Sequence, residues 1–471
     1  MPEFIRHVQP KLTFVPPRFN LWVLRLVHAT LPILLRVRTR PWLTAGIRRV
    51  EAENGEILAE FFHKFQSGNI RFILAFRHVE VDDPVCGLQL FSRVIPAIAR
   101  QQDMALKTPL HAHFVYERGM SLWAGRGLNW LFANMGGIPI RRGRKPDWAG
   151  LRTARTLLVD GTMPLAIAPE GATNGHSERV GPCEPGGAQL GFWCVEDLKK
   201  AGRSETVFIV PVGIQYRYIT PPWRSLDRLL TQLEQDCGLS PMTIDNTTDD
   251  NTTDDPMVRT YPRLVRLGEY LLTVMESFYR RFYHQPIPAA APQEESGESP
   301  DLTVRLHRLL DAALRVAEQR LGITAAGTFV DRCRRLEETG WTYIYREDLK
   351  DRAELPSVER GLADWVAQDA SLQMLHMRLV ESFVAVTGHY VKDKPSVERF
   401  AETALLMFDL TARLRGDTLP KRPQLGDRWV QMTVSDPISV SDRWAAYQGD
   451  RRRAITDLTA DIQQALESTI Q

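Results

Sequence analysis

The stretch RFILAFRHVEVDDPV, Arg71 to Val85, decides how this chain is read. A strand of buried character, Arg71 to Phe76, runs into a polar turn, and the turn closes on Asp83-Pro84. Asp followed by Pro predicts a helix start, with Asp83 as N-cap and Pro84 at the first helical position, where its missing N–H is not needed. Strand, turn and helix make one β-to-α connection, and His78 stands in its turn. Open α/β sheets hold their ligands at that edge, outside the carboxyl ends of the strands.

Working outward, the alternation continues. A helix from Pro84 to about Arg100 is followed by the short apolar runs AHFVY, GGIPI, MPLAIA and VFIVPVGI. This pattern predicts an α/β fold with a mostly parallel sheet and flanking helices. The register changes after Pro222. NTTDDNTTDD, Asn246 to Asp255, has no apolar residue and reads as a solvated linker, as does HQPIPAAAPQEESGESP, His284 to Pro300. Around them apolar residues recur at helical spacing, at Leu264, Leu267, Leu271, Met275, Phe278 and Phe282, and again from Leu306 to Leu321. Two further helices fit Gln373 to Val386 and Arg399 to Leu414. WVQMTVSDPISVS, Trp429 to Ser441, reads as a strand again, and a last amphipathic helix follows it. A lone late strand needs a sheet to join. Residues 223–425 therefore read as a large helical insertion, with linkers near 243–256 and 284–301, interrupting one α/β domain made of residues 51–222 and 426–471.

Of 471 residues, 44% are hydrophobic and 25% charged, the composition of a folded soluble or surface-bound chain of two or three domains. A net charge of +2 gives no global attraction to nucleic acid. The first fifty residues are different: Lys11 and eight arginines stand against Glu3 alone. The run Leu21 to Leu35, broken by Arg25, His28 and Pro32, is shorter than the roughly 20 apolar residues that a spanning helix needs. Residues 1–50 thus read as a basic amphipathic membrane-surface segment. Trp22, Val23, Leu26, Val27, Leu31, Leu34 and Leu35 would dip into the interface, with Trp22 and Trp42 at headgroup level. No secretory cleavage site follows. Five cysteines without paired spacing indicate neither a disulfide framework nor a zinc site, so a reducing compartment is expected, at the cytoplasmic face of a membrane.

Four blocks carry chemistry. In the first, His78 and Asp83 are five residues apart, a base and an acid at a strand's mouth; the plainer reading makes Asp83 a cap and nothing more. In GGIPIRRGRK, Gly136 to Lys145, a short strand releases Arg141, Arg142, Arg144 and Lys145 together, a cluster that suits an oxyanion such as phosphate, or else an ordinary solvated loop. MPLAIAPEGATNG, Met163 to Gly175, ends a strand in Pro169-Glu170-Gly171; its plain reading is a turn whose Glu faces water. In VFIVPVGI, Val207 to Ile214, Pro211 marks only a bend or an end. His111 and His113 share a face of a strand without an adjacent carboxylate or Cys and read as structural. His307, His376 and His389 lack metal-ligand spacing.

In this order the blocks resemble the glycerolipid acyltransferase family that includes the lysophosphatidate (1-acylglycerol-3-phosphate) acyltransferases. Its pattern is Asn-His-x4-Asp, a Gly-rich block ending in Arg, Phe-Pro-Glu-Gly-Thr-Arg, and a Val-Pro block. The likeness covers Arg71 to Tyr216 and, through TVSDPISVS, Trp429 to the end. It implies that His78 and Asp83 are the catalytic pair, that Arg142, with Arg141 beside it, contacts an acceptor phosphate, and that Glu170 and Gly171 help to bind the acceptor. Arg77 replaces the family's Asn, Ala168 its Phe, and Ala172 and Thr173 its Thr and Arg; the last change removes one expected phosphate contact.

The implied chemistry is general-base catalysis. A neutral imidazole, His78, takes the proton of an acceptor hydroxyl as that oxygen attacks a thioester carbonyl, while Asp83, with Asp82 as alternate, fixes the ring and stabilises the imidazolium. No metal and no cofactor is expected, only acyl-CoA or acyl-ACP as co-substrate. The expected partners are a lipid acceptor, a membrane surface and acyl carrier protein as a donor protein, with no nucleic acid. Two other classes remain open: an acyl-thioester or ester hydrolase, although no G-x-S-x-G elbow is present, and a degenerate acyltransferase fold serving as a lipid-binding scaffold.

Overall fold

The run IRFILAF, Ile70–Phe76, is a strand buried on both faces. Phe72 and Leu74 enter one apolar cluster with Phe61, Phe62 and Ile95, whereas Ile73 and Ala75 enter a second with Leu158, Phe192 and Ile462. Neither face meets water, so the sequence carries no polar alternation there. Phe61, Phe62 and Phe65 each set a ring edge-on to Phe72, with centroids 5.6–5.7 Å apart, the arrangement that ring quadrupoles favour.

The computed structural model describes residues 4–40, 43–120, 126–141, 147–241, 255–288, 302–383, 386, 388–417 and 421–470. Along the chain the strands are β1 (Gln9–Pro10), β2 (Ile47–Glu53), β3 (Ile70–Phe76), β4 (His113–Glu117), β5 (Gly137–Ile140), β6 (Leu165–Ile167), β7 (Thr206–Tyr218), β8 (Tyr345–Arg346), β9 (Arg428–Val434) and β10 (Ile438–Ser439). Eight of them form one sheet in the order β2-β9-β7-β3-β6-β4-β5, with β10 beside β7. From β7 to β5 every neighbouring pair is parallel, β2 runs parallel to β9, and β10 is antiparallel to β7. The protein is thus α/β with a mostly parallel sheet. The first cluster is roofed by α1 (Leu21–Arg36), α2 (Gly55–Gln66), α3 (Asp83–Gln89) and α4 (Ile95–Gln101). The second lies under the helices Trp148–Asp160, Gly186–Lys200 and Arg451–Ser468. The end of the last helix presses on β7 so closely that a Cβ at Gly213 would meet Thr469 Oγ1 at 2.0 Å, which leaves glycine as the residue that fits.

The chain divides into two units, Leu12–Arg217 with Asp427–Gln471, and Met1–Lys11 with Tyr218–Gly426. The expected boundary at residue 50 does not fall there. β2 starts at Ile47, and α1 buries Leu24, Leu31 and Leu35 within the sheet-bearing unit, so Leu31 and Leu35 are core rather than interfacial. Trp42 lies outside the described residues. Residues 5–10 instead belong with the helical unit, where Ile5 N–H donates to Ser371 Oγ, Val8 N–H to Asp364 Oδ1, and β1 pairs with β8.

Other expectations change in detail. The helix from Pro84 is α3 and α4 joined by a π-helical turn, Leu90–Val94. β7 does not stop at Pro211, which pairs in register with Ala75. The single strand from Trp429 is two, β9 and β10, parted at Pro437. In the helical unit, Phe329–Ile344 was unforeseen, and the helix expected from Gln373 is the end of a longer one, Ser357–Glu381. Buried ion pairs tie neighbouring helices there, Arg263 to Glu234 and Arg332 to Glu318, both at 2.7 Å. Most of each expected linker, residues 242–254 and 289–301, lies outside the described residues; Asp255 caps the helix Pro256–Phe282. Among the described residues no helix is long and apolar enough to cross a membrane.

His111 and His113 brace the sheet's far edge. His111 Nε2 donates to Met135 O at 2.8 Å and His113 Nδ1 to Gly136 O at 3.0 Å. Nδ1 of His111 is buried with no hydrogen-bond partner among the described residues, and burial lowers its pKa to about 4. An unfolded histidine titrates near 6.5 and so binds the proton more tightly, which makes stability fall as pH drops from about 6.5 towards 4, by up to about 3 kcal/mol from this residue. Urea midpoints of the wild type should therefore decline across that window, and the slope should flatten in His111→Gln. An unchanged slope in the variant would refute this role.

Candidate active site

The site is built at the carboxyl end of β3. Arg77 N–H still donates to Val212 O at 3.0 Å, which carries the β3–β7 ladder one residue past Phe76. The chain then turns, and after the buried Arg77 the His78 side chain reaches solvent, 26% exposed. Five residues on, Asp83 begins α3, and its side chain is 0% exposed. It is not the cap that the sequence predicted. Asp82 occupies the cap position, and neither carboxylate caps the helix. Asp83 points instead to the histidine, with His78 Nδ1 and Asp83 Oδ2 3.0 Å apart.

Every donor around Asp83 has a source. Oδ2 also accepts the Glu80 N–H at 3.0 Å, and Oδ1 accepts the Tyr216 hydroxyl at 2.5 Å. Burial, with the Asp83 charge next, pushes the Tyr216 phenol well above its ordinary pKa, so it stays a donor. An ionised Asp83 only accepts, so a hydrogen bond between the two places a proton on Nδ1, and in a neutral ring the lone pair then falls on Nε2. Burying a carboxylate is tolerable only when such donors replace water. Asp82, the alternate partner, is engaged elsewhere: its Oδ2 accepts Thr44 N–H at 2.8 Å and Ala45 N–H at 3.3 Å, and burial raises its pKa. Beneath lies a second charge pair, Glu80 with Arg428 at 2.8 Å, and the same guanidinium lies over the Tyr216 ring at 4.6 Å.

Glu170, on the turn after β6, is beside His78 but not as a water-facing carboxylate. It is buried, with Oε1 accepting the His78 backbone N–H at 3.0 Å and Oε2 accepting Gly181 N–H at 2.6 Å and Asn174 Nδ2 at 2.8 Å. Burial raises its pKa, and the Arg77 charge opposes the rise. Gly171 turns the chain with φ +72°, a conformation that glycine adopts without strain. The basic block lies farther along the same edge. Strand order sets β5, and with it Arg141, three spacings or about 14 Å from β3. Arg141 N–H donates to Asp147 Oδ2 at 2.8 Å, and Arg118 pairs with that carboxylate. Arg142, Arg144 and Lys145 lie outside the described residues.

The structure thus joins His78, Asp83 and Glu170 directly and leaves Asp82 out. Sequence reading missed Tyr216, Glu80, Thr44 and Arg428. Only the β3–β7 register, with Phe76 opposite Val212, and the return of β9 bring Tyr216 and Arg428 here, and neither has a local signal. Cys86, buried 3.8 Å from the Tyr216 hydroxyl, has its thiol pushed well up by burial, which disfavours the reactive thiolate. Among the described residues no cluster of His, Cys, Asp or Glu side chains forms a metal site.

Tyr216→Phe removes one charge-assisted hydrogen bond and should destabilise the chain by about 1.5–3 kcal/mol, read as a lower urea midpoint; a midpoint equal to wild type would contradict the network. Set against protein-family models, curated proteins and solved structures, the chain finds no match, so the chemistry of this site rests on its own geometry.

Proposed function

We propose that the chain is an O-acyltransferase that moves a fatty-acyl group from an acyl thioester, acyl-CoA or acyl-ACP, to a hydroxyl of a lysophospholipid or glycerol-phosphate acceptor. The observation that carries this reading is the His78–Asp83 pair, 3.0 Å apart, with the acid buried and the ring open to solvent. Nε2 takes the acceptor hydroxyl's proton as its oxygen attacks the thioester carbonyl. The tetrahedral intermediate collapses, the C–S bond breaks, and His78 returns the proton to the departing thiolate. One C–O ester bond replaces one thioester bond, with no enzyme-bound intermediate. Asp83 stabilises the transient imidazolium. The resemblance to the glycerolipid acyltransferases supports the substrate class, and Arg141 on the same sheet edge supports a phosphate-bearing acceptor.

We also propose that the enzyme works on an anionic membrane surface. α1 buries one apolar side and leaves Trp22, Leu26 and Ile33 at 75, 66 and 58% exposure, with Arg25 and Arg36 exposed on the same helix. No acidic residue occurs from Arg18 to Arg40. Each arginine near such a surface contributes about 1 kcal/mol.

Purified protein offered mixed lyso-lipids with acyl-CoA and acyl-ACP should yield diacylated products by mass spectrometry. His78→Ala and Asp83→Asn should lower the rate by about 10²- to 10⁴-fold. Free fatty acid released at a rate indifferent to acceptor would make the chain a hydrolase. A wild type silent with every acceptor, while still binding lipid, would make it a scaffold. On liposomes with anionic lipid, Trp22→Ser/Leu26→Ser/Ile33→Ser should lose most flotation; equal flotation would reject α1 as the docking element.

A further inference from the structure

Resting on the role proposed for His78, the geometry points to a clamp behind the histidine. We propose that Arg77 and Glu170 are positioning residues whose buried pair locks residues 174–181 onto the His78 peptide, and that the Glu170 carboxylate does not contact the acceptor.

Arg77 is among the largest fully buried side chains of the protein. Its guanidinium donates to three carbonyls of one loop: Nη1 to Ser177 O, and Nη2 to His176 O at 3.0 Å and to Arg179 O. His176 and Ser177 are themselves buried, so these carbonyls have no water to turn to and need a protein donor. Nε of Arg77 lies 3.6 Å from Glu170 Oε1. Only a long, forked cation spans from the end of β3 to that loop. The Asn that the acyltransferase pattern has here would not reach it.

The other half of the clamp holds the His78 peptide from both ends. Glu170 Oε1 takes the His78 N–H at 3.0 Å, and Asn174 N–H donates to His78 O at 3.3 Å. Gly175 N–H donates to Val79 O at 3.0 Å. Asn174 is in turn fixed by Glu170 Oε2 and by Arg179 O. With the peptide fixed by Glu170 and the ring by Asp83, the direction of Nε2 is set. Among the described residues, the three hydrogen bonds that the Glu170 carboxylate accepts come from internal N–H groups, and its side chain is 1% exposed. That is the environment of a strut and not of a ligand contact.

The test uses the full chain. His78 is titrated by NMR in histidine-labelled wild type, Arg77→Lys and Glu170→Gln, its signal assigned by loss in His78→Ala, and turnover is measured beside it. Lysine keeps the charge and loses the fork; glutamine keeps one acceptor for the His78 N–H and sets an amide against two other donors. Each variant should shift the His78 titration and lower kcat about 10- to 100-fold, with acceptor KM changed less than about 2-fold, the pattern of misplacement rather than lost binding. The double variant should lose no more than the worse single, because the two residues act as one unit. Should Arg77→Lys fail to fold, Glu170→Gln carries the same readouts. A raised KM with kcat and the His78 titration unmoved would overturn the clamp and return Glu170 to the acceptor site. A wild type without turnover would sink the acyl-transfer reading alone, since the titrations still decide the clamp.

Discussion

A carboxylate sealed from water must be surrounded by donors, and Asp83 sets that constraint on this protein. Three groups meet it: the His78 ring, the Glu80 N–H and the Tyr216 hydroxyl. Left short of them, a buried charge is expensive, and it would take up a proton rather than hold an imidazole. Each donor imposes something in turn. The Glu80 N–H requires the tight turn between β3 and α3. Tyr216 requires β7 to continue through Pro211 in parallel register with β3, and Arg428 over its ring requires the chain to return after the helical unit and enter the sheet as β9. The site therefore draws on sequence from both sides of a stretch of two hundred residues that supplies none of its described contacts.

The same logic sorts the charges around the histidine. Glu80 is matched by Arg428 and Glu170 by Arg77, while Asp82 takes two backbone donors from residues 44 and 45. The imidazole thus stands above a layer of compensated charges. Arg77 is the instructive member. It breaks the acyltransferase pattern, yet its side chain reaches a loop a hundred residues away and ties it down.

What the sequence revealed was what neighbouring residues control. An apolar run closed by Asp-Pro marked β3 and α3, and glycines with polar turns marked the sheet's carboxyl edge. β2 carries little strand signal because IRRVEAE belongs to an edge strand, whose exposed arginines and glutamate look like surface. In α1 periodicity finds an apolar stripe but does not say which residues meet protein. Leu31 and Leu35 went to the core, and Trp22 and Leu26 did not. Asp83 carried two local readings, cap and partner, and Tyr216 decided between them from a strand 133 residues away.

The central claim is that His78 holds its proton on Nδ1, against Asp83, and offers a bare Nε2 to an alcohol. Nitrogen chemical shifts of the His78 ring at neutral pH test it directly. The account predicts the Nδ1–H tautomer with a deprotonated Nε2, collapsing towards a tautomeric mixture in Asp83→Asn. A wild-type ring protonated on Nε2 alone, or one indifferent to Asp83, would contradict it.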